Sequence, residues 1–187
     1  MKRPHIMVLT LSFGSGHVRA AKTIADELLR QEPMAQVCVV DALATCRFLF
    51  YAGYVWTYLA MLRHAPAVWG WLFSRRLERE HRRTAPEWAF QFGCPDVFKA
   101  MLDFEPDTIV ATEVAACEIA AIAKRSRSTR ARIVNVITDY EAEPVWVQPE
   151  VDTYAVADTH VADQLTTWGA PVDTIQVCGI PTAPSFL

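Results

Sequence analysis

A glycine-rich turn closed by a histidine, Gly14-Ser15-Gly16-His17, is the stretch of this chain best suited to chemistry. A short β-rich apolar run, Ile6 to Leu11, leads into it, and an amphipathic pattern (Ala20, Ala21, Ile24, Ala25, Leu28, Leu29) leads out. Between a strand and a helix, glycines remove Cβ atoms at the carboxyl edge of a sheet, so a ligand can reach the backbone and the helix's exposed N–H groups. His17 falls in the first helical turn, where positive backbone dipoles oppose its protonation. A neutral imidazole there can accept a proton from an alcohol; position alone also allows it to cap the helix or pack against Phe13. A dinucleotide fingerprint would need glycine at position 19, where Arg19 stands, and no Walker lysine pattern is present.

The elements that must hold this turn follow a repeating pattern. Strand-like runs at Gln36–Asp41, Asp107–Thr112, Arg132–Ile137, Tyr154–Ala157 and Thr174–Cys178 alternate with helical stretches over Ala115–Ala123 and from an Asp158 cap to Thr167. The pattern predicts a doubly wound, mostly parallel α/β sheet with right-handed crossovers. One interruption stands out: no β-run occurs between Ala42 and Asp103, which predicts a helical insertion broken near Pro66 and Pro86. Its first part, Phe48 to Leu62, holds fifteen residues without a formal charge between Arg47 and Arg63. A membrane span needs about 20, so the segment reads as a buried or interfacial helix.

With 187 residues, 52% hydrophobic and 21% charged, the chain suits one globular domain. A formal charge of -3 gives no support to a nucleic-acid partner. Five cysteines without C-x-x-C spacing read as reduced thiols of a cytosolic protein, and the apolar run after the basic start is too short for a signal peptide. Four arginines between Arg125 and Arg132 read as a solvated loop, and Trp88 and Trp168 as packing residues.

Ser12-Phe13-Gly14-Ser15-Gly16-His17-Val18-Arg19-Ala20-Ala21 resembles the opening motif of monogalactosyldiacylglycerol synthases and bacterial processive diacylglycerol glucosyltransferases. Three further landmarks resemble that family in the same order: Glu105-Pro106-Asp107, Thr138-Asp139-Tyr140 with Val145-Trp146-Val147 and Val151-Asp152-Thr153-Tyr154, and Gly179-Ile180-Pro181 through Pro184-Ser185-Phe186. The resemblance implies the N-terminal, Rossmann-like half of an inverting GT-B glycosyltransferase, with residues 1–187 binding the lipid acceptor and ending at the linker to a donor-binding domain. It implies transfer from a UDP-sugar to diacylglycerol at the inner membrane surface, inactivity of this half alone, and a peripheral cytoplasmic location. His17 matches the general base, Gly14, Ser15 and Gly16 the loop facing the donor phosphates, and Asp139 a residue that orients the acceptor or His17, or forms a turn. No metal or cofactor is implied, since helix dipoles and side chains neutralise the leaving diphosphate.

Under this resemblance the aromatic insertion becomes a candidate membrane contact through Phe48, Phe50, Tyr51, Trp56, Trp69 and Trp71, with Tyr54, Tyr58 and Phe73 beside them. Arg63, with Arg47, Arg75, Arg76, Arg79, Arg82 and Arg83, would meet anionic lipids. An aromatic stripe at helical spacing equally describes core. The chain departs from the family at Glu113-Val114, which puts a carboxylate at a sheet edge, and at Glu143 and Gln148, where bacterial relatives carry histidines. Those departures bear on the acceptor, and leave open a GT-B enzyme with another lipid acceptor or a lipid-binding domain without catalysis.

Overall fold

The computed structural model describes residues 3–78 and 83–183. Six strands, β1 (His5–Thr10), β2 (Gln36–Asp41), β3 (Thr108–Ala111), β4 (Arg132–Val136), β5 (Thr153–Val156) and β6 (Ile175–Val177), form one sheet in the order β2-β1-β3-β4-β5-β6. Every pairing is parallel. The chain steps outward from β1 to β2, then crosses back to add β3 on the other side of β1. That reversal opens a crevice beyond the carboxyl ends of β1 and β3, where doubly wound sheets take their ligands.

Burial on both faces explains the continuous apolar runs: Met7, Val8 and Leu9 are wholly buried, as is Ile109. Helix α1 (Ser15–Gln31) covers one face, its Ala21 and Ala25 packed with Val8, Val110 and Val136. Helix α7 (Val114–Arg125) covers the other, and its alanine-rich stretch from Ala115 to Ala123 is buried all round. As its sequence predicts, α8 (Thr159–Thr167) is capped by Asp158, whose Oδ1 accepts from the Val161 amide at 3.0 Å.

The insertion is helical. It runs through α2 (Phe48–Tyr51), a π-helical turn (Ala52–Trp56), α3 (Thr57–His64), α4 (Pro66–Glu78), α5 (Glu87–Gly93) and α6 (Pro95–Phe104). Pro66 starts α4 and Pro86 caps α5, so both proline breaks fall where the sequence predicts them. Pro95 adds a third at the start of α6. Val55, Phe90, Val97 and Met101 tie the insertion to the α7 side of the core. The Phe50 ring lies where a Cβ on Gly93 would stand, so α2 and α5 approach closely only because that residue is glycine.

Two expectations are corrected. Arg125 is not in a solvated loop: it ends α7 and pairs with Glu150, at 2.8 Å, and with Glu87. Trp88 is not a packing residue, being 69% exposed, whereas Trp168 does pack against the core. Arg79, Arg82 and the Pro184-Ser185-Phe186 motif lie outside the described residues, as do the side chains of Phe73 and Arg76.

Candidate active site

The turn after β1 is held by its neighbour strand: the Ser12 amide donates to Asp41 Oδ1 at 3.0 Å. Gly14, the residue before α1, has φ 104° and ψ 158°, a conformation that a side chain would strain. A Cβ on Gly16 would meet nothing within 4 Å, so the loop faces open space. Gly14, Ser15 and Gly16 are all exposed, at the free N–H end of α1.

His17 is half-buried, in the first turn of α1. Its Nδ1 lies 3.0 Å from the Thr112 carbonyl and 2.7 Å from Thr138 Oγ1. A carbonyl oxygen only accepts, so Nδ1 carries the hydrogen and the lone pair falls on Nε2. Thr112 Oγ1 donates back to the His17 carbonyl at 3.2 Å, stitching the helix start to the end of β3. The imidazole is thus fixed in tautomer and orientation, with its basic nitrogen on the other edge.

Asp139 follows β4 and is half-buried near the same ring. Burial pushes its carboxyl up, and His17 opposes that shift, so the two groups sense each other. Among the described residues Asp139 makes no hydrogen bond to the imidazole; Thr112 and Thr138 do the holding. Sequence reasoning quoted Thr138 as half of the Thr-Asp pair without giving it this role. Nothing local marks Thr112.

Glu113 is buried and caps α7, accepting from the Ala115 and Ala116 amides at 2.7 and 3.2 Å. Burial, with the Asp139 carboxylate adding to it, pushes its carboxyl up to about 7 despite those amides. Gln148 is a buried strut, donating to the Val145 carbonyl at 2.9 Å while its backbone brackets the Tyr154 hydroxyl.

Three clefts gather at this edge, lined by neighbours of His17 rather than by its ring. One of 570 Å³ is bordered by Asp139, Tyr140, Glu141, Trp146 and Trp168. A second, also 570 Å³, lies between Gly16, Arg19 and Lys22 of α1 and the segment Ile180 to Ala183. The third, 330 Å³, is walled by Phe13, Tyr58, Trp69, Thr84 and Glu113.

The aromatic set divides. Phe48 (66% exposed), Tyr51, Trp56 (53%) and Trp71 (55%) face outward, as do Arg63 and Arg75, whose guanidinium lies 4.5 Å over the Trp71 ring. Phe50 and Trp69, expected among the membrane contacts, turn inward instead. Phe50 stacks on Tyr54 at 5.3 Å and meets Phe90, and Trp69 packs edge-on to Tyr58, which packs on Phe13. Those inward rings gain burial and edge contacts that an interfacial position would forgo. Among the described residues no helix is long and apolar enough to cross a membrane, and no group of three or more His, Cys, Asp or Glu could hold a metal ion.

The chain is 29% identical, over 189 residues, to the processive diacylglycerol beta-glucosyltransferase of Bacillus cereus strain B4264, and 28% identical, over 188, to that of Bacillus thuringiensis strain Al Hakam. Both alignments cover 100% of this chain and 47% of the relative, so the chain spans about half the length of these relatives. Among solved structures, the apo lipopolysaccharide outer core galactosyltransferase WaaB is similar at TM-score 0.52 and 10% identity, over 92% of this chain and 44% of that one. HepE of Anabaena, in complex with UDP-glucose, is similar at TM-score 0.53 and 16% identity, over 97% and 47%. At such identities the likeness shows the fold, a Rossmann-like half of the GT-B architecture. The family model described as monogalactosyldiacylglycerol (MGDG) synthase matches residues 17–182, and the chain belongs to that family.

Proposed function

We propose that residues 1–187 form the acceptor-side, N-terminal half of an inverting glycosyltransferase that moves a hexosyl group from a UDP-sugar to diacylglycerol. The observation that carries this reading is the imidazole of His17, whose Nδ1–H is held by the Thr112 carbonyl. Its Nε2 is left to act as base. In the step proposed, Nε2 takes the proton of the diacylglycerol hydroxyl as that oxygen attacks the anomeric carbon. The bond from that carbon to the diphosphate oxygen breaks, UDP departs with the electron pair, and configuration inverts. Asp139, within electrostatic reach of His17, stabilises the imidazolium that forms. The amides of the Gly14-Ser15-Gly16 turn and the N-terminus of α1 face the diphosphate. A second domain holds most of the donor.

The names of the relatives support the acceptor, and the UDP-glucose bound to HepE supports the donor class. The outward rings Phe48, Tyr51, Trp56 and Trp71, with Arg63, rest in the headgroup boundary of an anionic leaflet and keep the enzyme peripheral on the inner membrane face. The test is His17→Ala in the full-length enzyme. Turnover falls by about 10²-fold or more while the melting temperature holds, and unchanged turnover would remove His17 from the role of base.

A further inference from the structure

An apolar groove of 350 Å³ lies on the insertion surface, between Leu49, Phe50, Ala85, Trp88, Ala89 and Phe92. Among the described residues no charged side chain lines it, although the Arg47 guanidinium lies 4.4 Å over the Phe92 ring. Gly53 and Tyr54 also line the groove, and the same two residues line the 330 Å³ cavity that includes Thr84 and Glu113. Glu113 follows Thr112, whose carbonyl holds His17. Lining therefore passes from largely apolar outside, through aromatic rings, to Thr84 and to Glu113, the residue after the one whose carbonyl holds His17. Gly53 sits inside the π-helical turn, and a Cβ built on it would meet nothing within 4 Å. Gly53 is exposed and borders both spaces. Leu49, Trp88 and Phe92 around the outer groove are 71%, 69% and 51% exposed.

We propose that the groove and cavity together form one binding path for an amphiphile, in which the outer groove takes an acyl chain of the lipid acceptor and Gly53 keeps the passage to the inner cavity open. The proposal rests on the functional reading above, and makes the insertion a determinant of acyl-chain length. The polarity gradient selects the occupant: a single-polarity ligand would match one end only, whereas a lipid with an apolar tail and a hydroxyl head matches both.

The test is Gly53→Leu in the full-length protein, a substitution whose Cβ meets nothing within 4 Å and which is a better helix former. With dioleoylglycerol as acceptor, kcat/KM falls by about tenfold or more, while with dihexanoylglycerol it stays within about twofold of wild type. The melting temperature is unchanged or raised. Equal losses on both acceptors, or no loss on either, overturn the path. A second measurement needs no turnover: diacylglycerol with brominated acyl chains, in detergent micelles, quenches the Trp88 fluorescence given by wild type minus Trp88→Phe. Absence of that quenching overturns the groove as a tail site, as does equal quenching by a brominated apolar peptide helix. If wild type transfers sugar to no diacylglycerol yet quenching persists, the functional reading fails and the groove stands.

Discussion

His17 acquires its character from residues 95 and 121 positions away. The glycine turn and the histidine were legible because a strand, a tight turn and a helix are local patterns. The two threonine contacts were not, since only the strand order brings β1, β3 and β4 to one edge. Glu113 shows the same limit: its sequence position suggested a carboxylate facing a cleft, and the structure adds that it caps α7 while buried. That burial has a consequence for stability. A carboxyl raised to about 7 in the fold, from 4.5 as its reference, binds a proton that the unfolded chain has already released. Its contribution is therefore fully present below the reference value and is lost as pH climbs through 7. Glu113→Gln keeps an acceptor for the Ala115 and Ala116 amides and never ionises. Relative to this variant, wild type loses roughly 1–3 kcal/mol between pH 5 and pH 8. Urea midpoints of both proteins at the two pH values check it, and parallel pH profiles would show that the helix N-terminus offsets the burial cost.

At the scale of elements, the insertion was legible as helical and its breaks at Pro66 and Pro86 fell in place, because proline acts through local geometry. The facing of its rings was not legible. An aromatic run without charges gives no periodic signal of which side is wet, and the π-helical turn at Ala52–Trp56 shifts the register midway. The result sorts the rings into an inward and an outward set. Phe50, Tyr54, Tyr58 and Trp69 interlock with Phe13 and Phe90, joining the insertion to the glycine turn. Trp56 and Trp71 remain more than half exposed. Substituting both, Trp56→Ser with Trp71→Ser, lowers sedimentation of the full-length protein with anionic liposomes by about tenfold and leaves the melting temperature in place. Trp69→Ser does the opposite, costing roughly 1–3 kcal/mol of stability with little direct effect on sedimentation. An exchange of these outcomes between the two sets would reverse the assignment of inward and outward faces.

At the scale of the whole molecule, the alternation of strands and helices made the parallel sheet legible, and the sheet in turn decides where function sits. The reversal around β1 places the helix N-terminus, His17 and Asp139 on one edge, together with three clefts. Those clefts are lopsided for the proposed reaction between a lipid and a nucleotide sugar. The cavity and groove on the insertion side are rich in aromatic rings, whereas on the α1 side, among the described residues, Arg19 and Lys22 bring positive charge to the space near Gly16 and Asp26 brings negative charge. Arg19, Lys22 and one helix terminus would be a weak hold on the leaving diphosphate of the proposed reaction. Transition-state stabilisation depends on donors fixed in place before the reaction. Residues 1–187 alone are therefore expected to transfer sugar at least about 10³-fold more slowly than the full-length enzyme under the same acceptor and donor concentrations. Radiolabelled UDP-sugar with diacylglycerol micelles provides the assay, alongside a melting curve showing the fragment folded. Transfer by the folded fragment at a rate near that of the whole enzyme would mean that this edge supplies the donor site too, and the division into an acceptor half and a donor half would fall.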